Sequence, residues 1–366
     1  MSKRIKILDS MRGLAAIIVV FHHVFTGMPS LFINKYPAWL MALFSFISTL
    51  NVQAVLFFFY ISGFSICLSV KNELPINKKA FNNYVYRRLK RILPLYYFAI
   101  VFTLLVGICS YQVGRNADYG IKNLIGNVLF LQCSNSYAGN WFAPYGNNGP
   151  LWSLSFEMFY YFLLPVFLYL VLKFGKTTSL NLFTNRIALI GAFIISIACV
   201  FLNRFLFLPF IAFSALFYVW YAGYFAANLY LKKTVLFDVN FKLLILLTTI
   251  LFIINNATPS ATISKLFFGS FTACCFFPLF YLRKKISTKF ILVFENSFNF
   301  LFYKIGTGSF ALYLLHYPVL QLLQRLGYIK YSCVGFTLIS IIVGSIWLEK
   351  MFTKTPFLFL KRQYLK

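Results

Sequence analysis

An arginine and a histidine stand inside the first long apolar segment, Met11-Arg12-Gly13-Leu14-Ala15-Ala16-Ile17-Ile18-Val19-Val20-Phe21-His22-His23-Val24-Phe25. Ionisable groups at membrane depth are costly, and where they occur they face a protein interior or a water-filled cavity. Arg12 and His23 are 11 positions apart. That is about 1100° of helix, three turns plus roughly 20°, so the two side chains share one face about 16 Å apart. Asp9 precedes Arg12 by three and can pair with it on that face. A cation toward one surface and a base deeper down would suit an anionic donor and proton chemistry. The plain alternative is an interfacial arginine and a packed histidine.

Four cations in five positions, Arg87-Arg88-Leu89-Lys90-Arg91, precede another apolar run. Arg88 and Arg91 share a helix face, as do Arg87 and Lys90. Arginine forks match phosphate oxygens bidentately, so a phosphate-bearing donor such as coenzyme A is a natural partner. Topogenic charge and anionic lipid headgroups account for the same residues. Further along, Trp152 has the character of an interfacial belt residue, and Glu157 lies five positions deeper with no Lys or Arg nearby in its own segment. Glu157 is about 8 Å below the outer surface and His23 about 14 Å, so the carboxylate is expected to orient His23 by the logic of a triad. Scattered His and Glu residues are weak evidence for a metal, and none is expected.

Three supporting positions complete the set. Ser62 and Gly63 sit in an apolar run, where small residues serve close helix packing. His316 lies near mid-membrane just before Pro318, which should kink its helix. Glu349, beside Lys350, reads as a structural ion pair.

The elements that must hold these residues are membrane helices. Of 366 residues, 60% are hydrophobic, 21% aromatic and only 11% charged, and mean hydropathy is +0.78. A soluble domain would carry about twice that charged fraction. Apolar stretches near 20 residues recur throughout, each long enough to cross a bilayer. We expect an all-α polytopic membrane protein of about ten spans, at 12–31, 50–70, 92–110, 151–172, 187–203, 208–231, 242–256, 263–282, 305–324 and 332–352. Trp39–Leu50 reads as an extra interfacial or re-entrant piece, and Asn123–Cys133 and Phe290–Phe302 as too short to span.

The net charge of +27 does not indicate nucleic acid. With the N-terminus inside, Lys and Arg divide roughly 27 inside to 7 outside over these spans, the positive-inside pattern, and both termini are expected in the cytoplasm. The N-terminal basic run lacks a small-residue cleavage site and reads as an uncleaved first span. The seven cysteines form no metal pattern; Cys109 and Cys133 flank the loop Ser110–Pro150 and could form a disulfide. That loop, rich in Asn, Gly, Ser and Tyr, suits sugars and suits an ordinary solvated loop equally.

Taken in order, these segments resemble the acyltransferase family 3 integral-membrane O-acyltransferases. The resemblance runs from Leu8-Asp9-Ser10-Met11-Arg12-Gly13 with the R-x10-H spacing to His23, through Phe57–Phe64, Arg87–Pro94, Trp152-Ser153-Leu154 with Glu157, and Tyr313-Leu314-Leu315-His316-Tyr317-Pro318, to Glu349-Lys350. It implies ten membrane helices, a cytoplasmic acyl-coenzyme A donor and a carbohydrate or lipid-linked acceptor. It also implies catalytic roles for Arg12, His23 and Glu157, and donor binding by Arg88 and Arg91 with Arg87 beside them. Met11 departs from the smaller or polar residue common there. The chain ends at Lys366, soon after the tenth span, so one membrane domain over 1–366 without an appended soluble domain is expected.

The expected function is transfer of an acyl group, acetyl first, from acetyl-coenzyme A to a hydroxyl of a cell-surface or lipid-linked glycan, in a bacterial inner membrane. His23 would serve as general base or as a brief acyl carrier. The rival is a transporter or flippase of a glycan or lipid-linked intermediate, for which internal repeats would be expected and none is visible. A membrane glycosyltransferase would want more charge in the outside loop than Arg115, Asp118 and Lys122 provide.

Overall fold

The computed structural model describes residues 5–70, 73–133, 141–177, 179–206, 208–232, 239–258, 260–285 and 289–354. In chain order the helices are α1 (Lys6–Gly27), α2 (Ala38–Thr49), α3 (Asn51–Val70), α4 (Lys78–Cys109), α5 (Ile121–Val128), α6 (Trp152–Phe174) and α7 (Leu182–Leu202). They continue as α8 (Pro209–Ser214), α9 (Phe217–Lys232), α10 (Val239–Ala257), α11 (Ala261–Lys285), α12 (Lys289–Thr307), α13 (Ser309–Arg325) and α14 (Tyr331–Lys354). There is no β-strand among the described residues. Helices satisfy their own backbone hydrogen bonds, which lipid cannot do, and the chain is an all-α polytopic membrane protein.

Among the described residues, eight helical stretches are long and apolar enough to cross a membrane: α1, α2 running into α3, α4, α6 with its preceding turn, α7, α8 with α9, α10 and α14. The remaining expected spans fall on α11 and α13. α11 keeps a shorter apolar stretch, Ala261–Phe276. The expected span 305–324 is divided at Gly308, so its first residues belong to α12 and α13 has 17 residues. Phe290–Phe302, read as too short to span, lies in the 19-residue α12, which packs across α1. The re-entrant piece at Trp39–Leu50 is α2, almost continuous with α3.

Lipid offers no hydrophobic drive between helices, so close packing must hold them. The tightest crossing joins α3 to α9. A Cβ on Gly63 would lie 2.0 Å from the Trp220 carbonyl oxygen, and one on Gly223 would lie 1.9 Å from that of Tyr60. α9 is the central helix, 83% of its span buried, and α14 the most peripheral at 11%. Trp220, Tyr221 and Tyr224 on α9 are fully buried with Tyr60, Phe64 and Tyr160. A second close crossing joins α1 to α12, where a Cβ on Gly306 would lie 1.8 Å from the Asp9 carbonyl oxygen and one on Gly13 would lie 2.4 Å from that of Phe302. Ser10 donates to Asn299 Oδ1 at the same crossing, at 2.6 Å.

The loop between α4 and α6 is folded by its own amides. Asn127 Nδ2 donates to the Ala143 carbonyl at 2.8 Å, and its Oδ1 accepts from the Tyr145 amide at 3.1 Å. Asn127, Gln132 and Asn148 are fully buried. Cys109 is exposed and Cys133 buried, and no disulfide joins them. Pro318 lacks an N–H and leaves the Leu314 carbonyl without its helical donor. Asn148 Nδ2 supplies that donor at 3.1 Å, tying the loop to α13.

The α3–α9 crossing has a direct test. Gly63→Ala places a methyl on backbone that cannot move aside, and such overpacking costs about 1–3 kcal/mol or more. Its melting temperature in detergent should fall by several degrees, whereas Gly335→Ala, with nothing within 4 Å of its added methyl, should not fall. Equal melting temperatures would refute the close crossing.

Candidate active site

The Asp9–Arg12 pair forms as the spacing predicts, with Arg12 Nη1 3.1 Å from Asp9 Oδ1. Asp9 is only 3% exposed, held at the α1–α12 crossing. Arg12 Nη2 donates to Ser65 Oγ at 2.7 Å, fixing the guanidinium against α3. On α4, Arg88 is buried and donates from Nη2 to Ser69 Oγ at 2.8 Å. Arg12, Arg88 and Arg91 line one narrow cavity of about 70 Å³ with Ser62, Ser65, Glu157 and Tyr161. Arg91 is exposed as well, so the cavity opens beside it. Arg87, grouped with the others in the sequence, is exposed and outside this lining. One residue along a helix is a turn of about 100°, and only the Arg88–Arg91 face looks inward.

Glu157 also belongs to this cavity. Its Oε1 accepts from Ser62 Oγ at 2.6 Å and from the Tyr161 hydroxyl one turn along α6. Arg12 is already paired with Asp9, so Arg88 and Arg91 are the guanidinium groups of this cavity left to meet an anion beside Glu157. Among the described residues there is no hydrogen bond between His23 and Glu157, and they line different cavities. The expected pairing fails on depth: Arg12 and His23 share a face of α1 about three turns apart, and Glu157 lies at the level of Arg12, in its cavity, and not at that of His23.

His23 lines a second, wider cavity of about 360 Å³, with Asn51, Val52, Val55, Asn147, Trp152 and Tyr313 among its walls. That volume falls within the roughly 300–1,000 Å³ of small-molecule sites. Trp152 is therefore a cavity wall and not a lipid-facing belt residue; its ring packs on Phe156 at 5.1 Å and Lys265 Nζ lies 5.9 Å above it. The ring next to His23 is His316, with centroids 5.2 Å apart, and Tyr317 packs edge-on at 4.7 Å. His22 is turned elsewhere, with Nδ1 2.9 Å from Ser48 Oγ.

Tyr313 lines both cavities. Its hydroxyl is 2.9 Å from Ser153 Oγ, and its ring packs on Phe58 at 5.7 Å. It forms the partition between an arginine-lined chamber and a histidine-lined one. Sequence reasoning quoted Tyr313 without a role; its spacing of three from His316 placed both on one helix face. Ser65, Ser69 and Asn148 carried no sequence signal. Glu349 Oε2 accepts from the Phe310 and Ala311 amides, both at 3.2 Å. It thus caps the start of α13, which carries Tyr313 and His316.

The chemistry of the two chambers is complementary. One can hold an anion and a slender chain, the other a polar small molecule beside an imidazole. No match is found among curated proteins or solved structures. The acyltransferase domain of acyltransferase family 3 matches residues 5–350, nearly the whole chain and every residue lining both chambers, and the protein belongs to that family of membrane acyltransferases.

Proposed function

We propose that this acyltransferase moves an acyl group, acetyl first, from acyl-coenzyme A to a hydroxyl of a cell-surface or lipid-linked carbohydrate. The observation that carries this reading is the pair of chambers meeting at Tyr313. The bias of Lys and Arg supports a cytoplasmic position for the arginine chamber, where acyl-coenzyme A is available. The 141–151 loop, on the opposite side in that topology, contributes Asn147 to the His23 chamber, and α6 starts there with Trp152. An aromatic face with two asparagine amides, Asn51 and Asn147, suits a sugar. The proposed setting is a bacterial inner membrane.

In this mechanism Arg88 and Arg91 bind donor phosphates, and Arg12, braced by Asp9 and Ser65, holds the chain entering past Tyr313. The narrowness of the first chamber selects the linear arm of the donor. Glu157 keeps the guanidinium groups apart and ordered; it does not touch His23. His23 accepts the proton of the acceptor hydroxyl as its oxygen attacks the thioester carbonyl. The carbon–sulfur bond breaks, and His23 returns the proton to the departing thiolate. General base catalysis of this kind contributes about 10²–10⁴-fold.

Donor use separates this reading from a transporter. Purified protein in detergent should consume acetyl-coenzyme A slowly, releasing free thiol; a transporter would release none. His23→Ala should lower that rate by about 100-fold or more while membrane insertion is unchanged. His22→Ala should lose far less, because His22 bonds Ser48 outside the chamber. Full activity in His23→Ala would sink the assignment.

The arginines are expected to act on the donor. Arg88→Ala or Arg91→Ala removes a charge-assisted hydrogen bond of about 1.5–3 kcal/mol, so the apparent KM for acetyl-coenzyme A should rise roughly 10- to 100-fold. Acceptor KM should change little. An unchanged donor KM in both variants would leave those arginines as topogenic charge alone.

Tyr313 is expected to couple donor to acceptor. Tyr313→Phe keeps the wall and should keep most coupling. Tyr313→Ala joins the two chambers and should raise thioester hydrolysis relative to acyl transfer. Mass spectrometry of the glycan product beside thiol release gives the ratio, and an unchanged ratio in Tyr313→Ala would refute the partition.

A further inference from the structure

His316 is the buried titratable group that this mechanism leaves unused. It is fully buried on α13. Its Nδ1 lies 2.9 Å from the Leu312 carbonyl oxygen. A carbonyl can only accept, so Nδ1 carries the hydrogen and Nε2 is a bare lone pair. That Nε2 is buried and has no hydrogen-bond partner. A buried acceptor left unsatisfied costs stability, and such groups persist for a reason.

The neighbouring ring is His23. The two centroids are 5.2 Å apart and the planes are inclined at 36°. Both rings are held by rigid elements. His316 is locked by its bond to Leu312, by the Glu349 cap at the start of α13 and by the Asn148 bond to Leu314. His23 stands on α1 between His316 and Tyr317.

We propose that His316 is a positioning residue whose Nε2 accepts the N–H of His23. A rotation of the His23 ring brings that N–H onto the waiting lone pair. The other nitrogen of His23 is then bare and directed to the chamber of Asn51, Asn147 and Trp152. It takes the hydroxyl proton there, and the imidazolium that forms stays bonded to His316. Nothing on His316 is protonated or released, so the proton count of the reaction is unchanged. His316 thereby fills the role that the sequence suggested for Glu157, with a neutral partner in place of a carboxylate.

The inference rests on His23 being the base of the proposed reaction, and its test has one arm that needs no donor. Purified full-length wild type, His316→Leu and His316→Gln are compared. Leucine fills the space without a lone pair; glutamine can place an oxygen near the position of Nε2. Diethyl pyrocarbonate labelling of His23, read by mass spectrometry with His22 as internal reference, should slow about tenfold in His316→Leu and recover in His316→Gln. Melting temperature should not fall in His316→Leu, since an unsatisfied acceptor is removed. Equal labelling of His23 in all three proteins would overturn the pairing. So would a slow rate that glutamine fails to restore, or one accompanied by loss of thermal stability.

The second arm is acetyl-coenzyme A consumption. His316→Leu should lower kcat about tenfold with the donor KM unchanged, because the donor's arginines lie in the other chamber. A raised KM with normal kcat would refute the positioning role. If the wild type consumes no acetyl-coenzyme A while the labelling pattern holds, the donor assignment fails and the histidine pair stands.

Discussion

Guanidinium groups inside a membrane bundle must find oxygens, and the arrangement of this protein follows from how three of them do so. Arg12 takes Asp9 and Ser65, and Arg88 takes Ser69. Arg91 stands at the opening of the same cavity. The two serine bonds tie one helix to another, α1 to α3 and α3 to α4. Removing any of these oxygens would leave a charge poorly solvated in a low-dielectric interior, which costs several kcal/mol. Glu157 supplies the carboxylate of the cluster, and its own oxygen is held by Ser62 and Tyr161.

The packing of the bundle serves that cluster. Glycines at the α3–α9 and α1–α12 crossings let backbones approach to distances at which no Cβ fits. The first crossing sits beside Ser62, and the second sits on Asp9 and Gly13. Without a hydrophobic drive between helices in lipid, such contacts carry the association. The aromatic residues of α9 and its neighbours fill the remaining space with large, stiff surfaces. The outcome is a rigid frame in which α13 can carry Tyr313 between the chambers and His316 against His23. Capping by Glu349 at one end and the Asn148 bond past Pro318 fix that helix.

Tyr313 lines both chambers, so one side chain stands where they meet. The arginine chamber is narrow and charged; the histidine chamber is wider and lined by amides and an indole. Membership of acyltransferase family 3 and this division of labour point to the same chemistry.

Much of this was legible in the chain before folding. Hydropathy and charge asymmetry determine a polytopic helical membrane protein, because the cost of burying charge in lipid acts on every segment independently. The Asp9–Arg12 pair and the shared face of Arg88 and Arg91 are local facts, set by 3.6 residues per turn. The depths of His23 and Glu157 were not legible: where each helix sits along the membrane normal is decided by packing against several others at once, so tertiary structure alone puts Glu157 at the level of Arg12 and not of His23. It also places His316 beside that imidazole, leaves Arg87 outside and makes Tyr313 a wall. The break at Gly308 and the docking of α12 across α1 are likewise tertiary, since one meets Ile346 and Glu349 on α14 and the other joins Gly13 to Gly306.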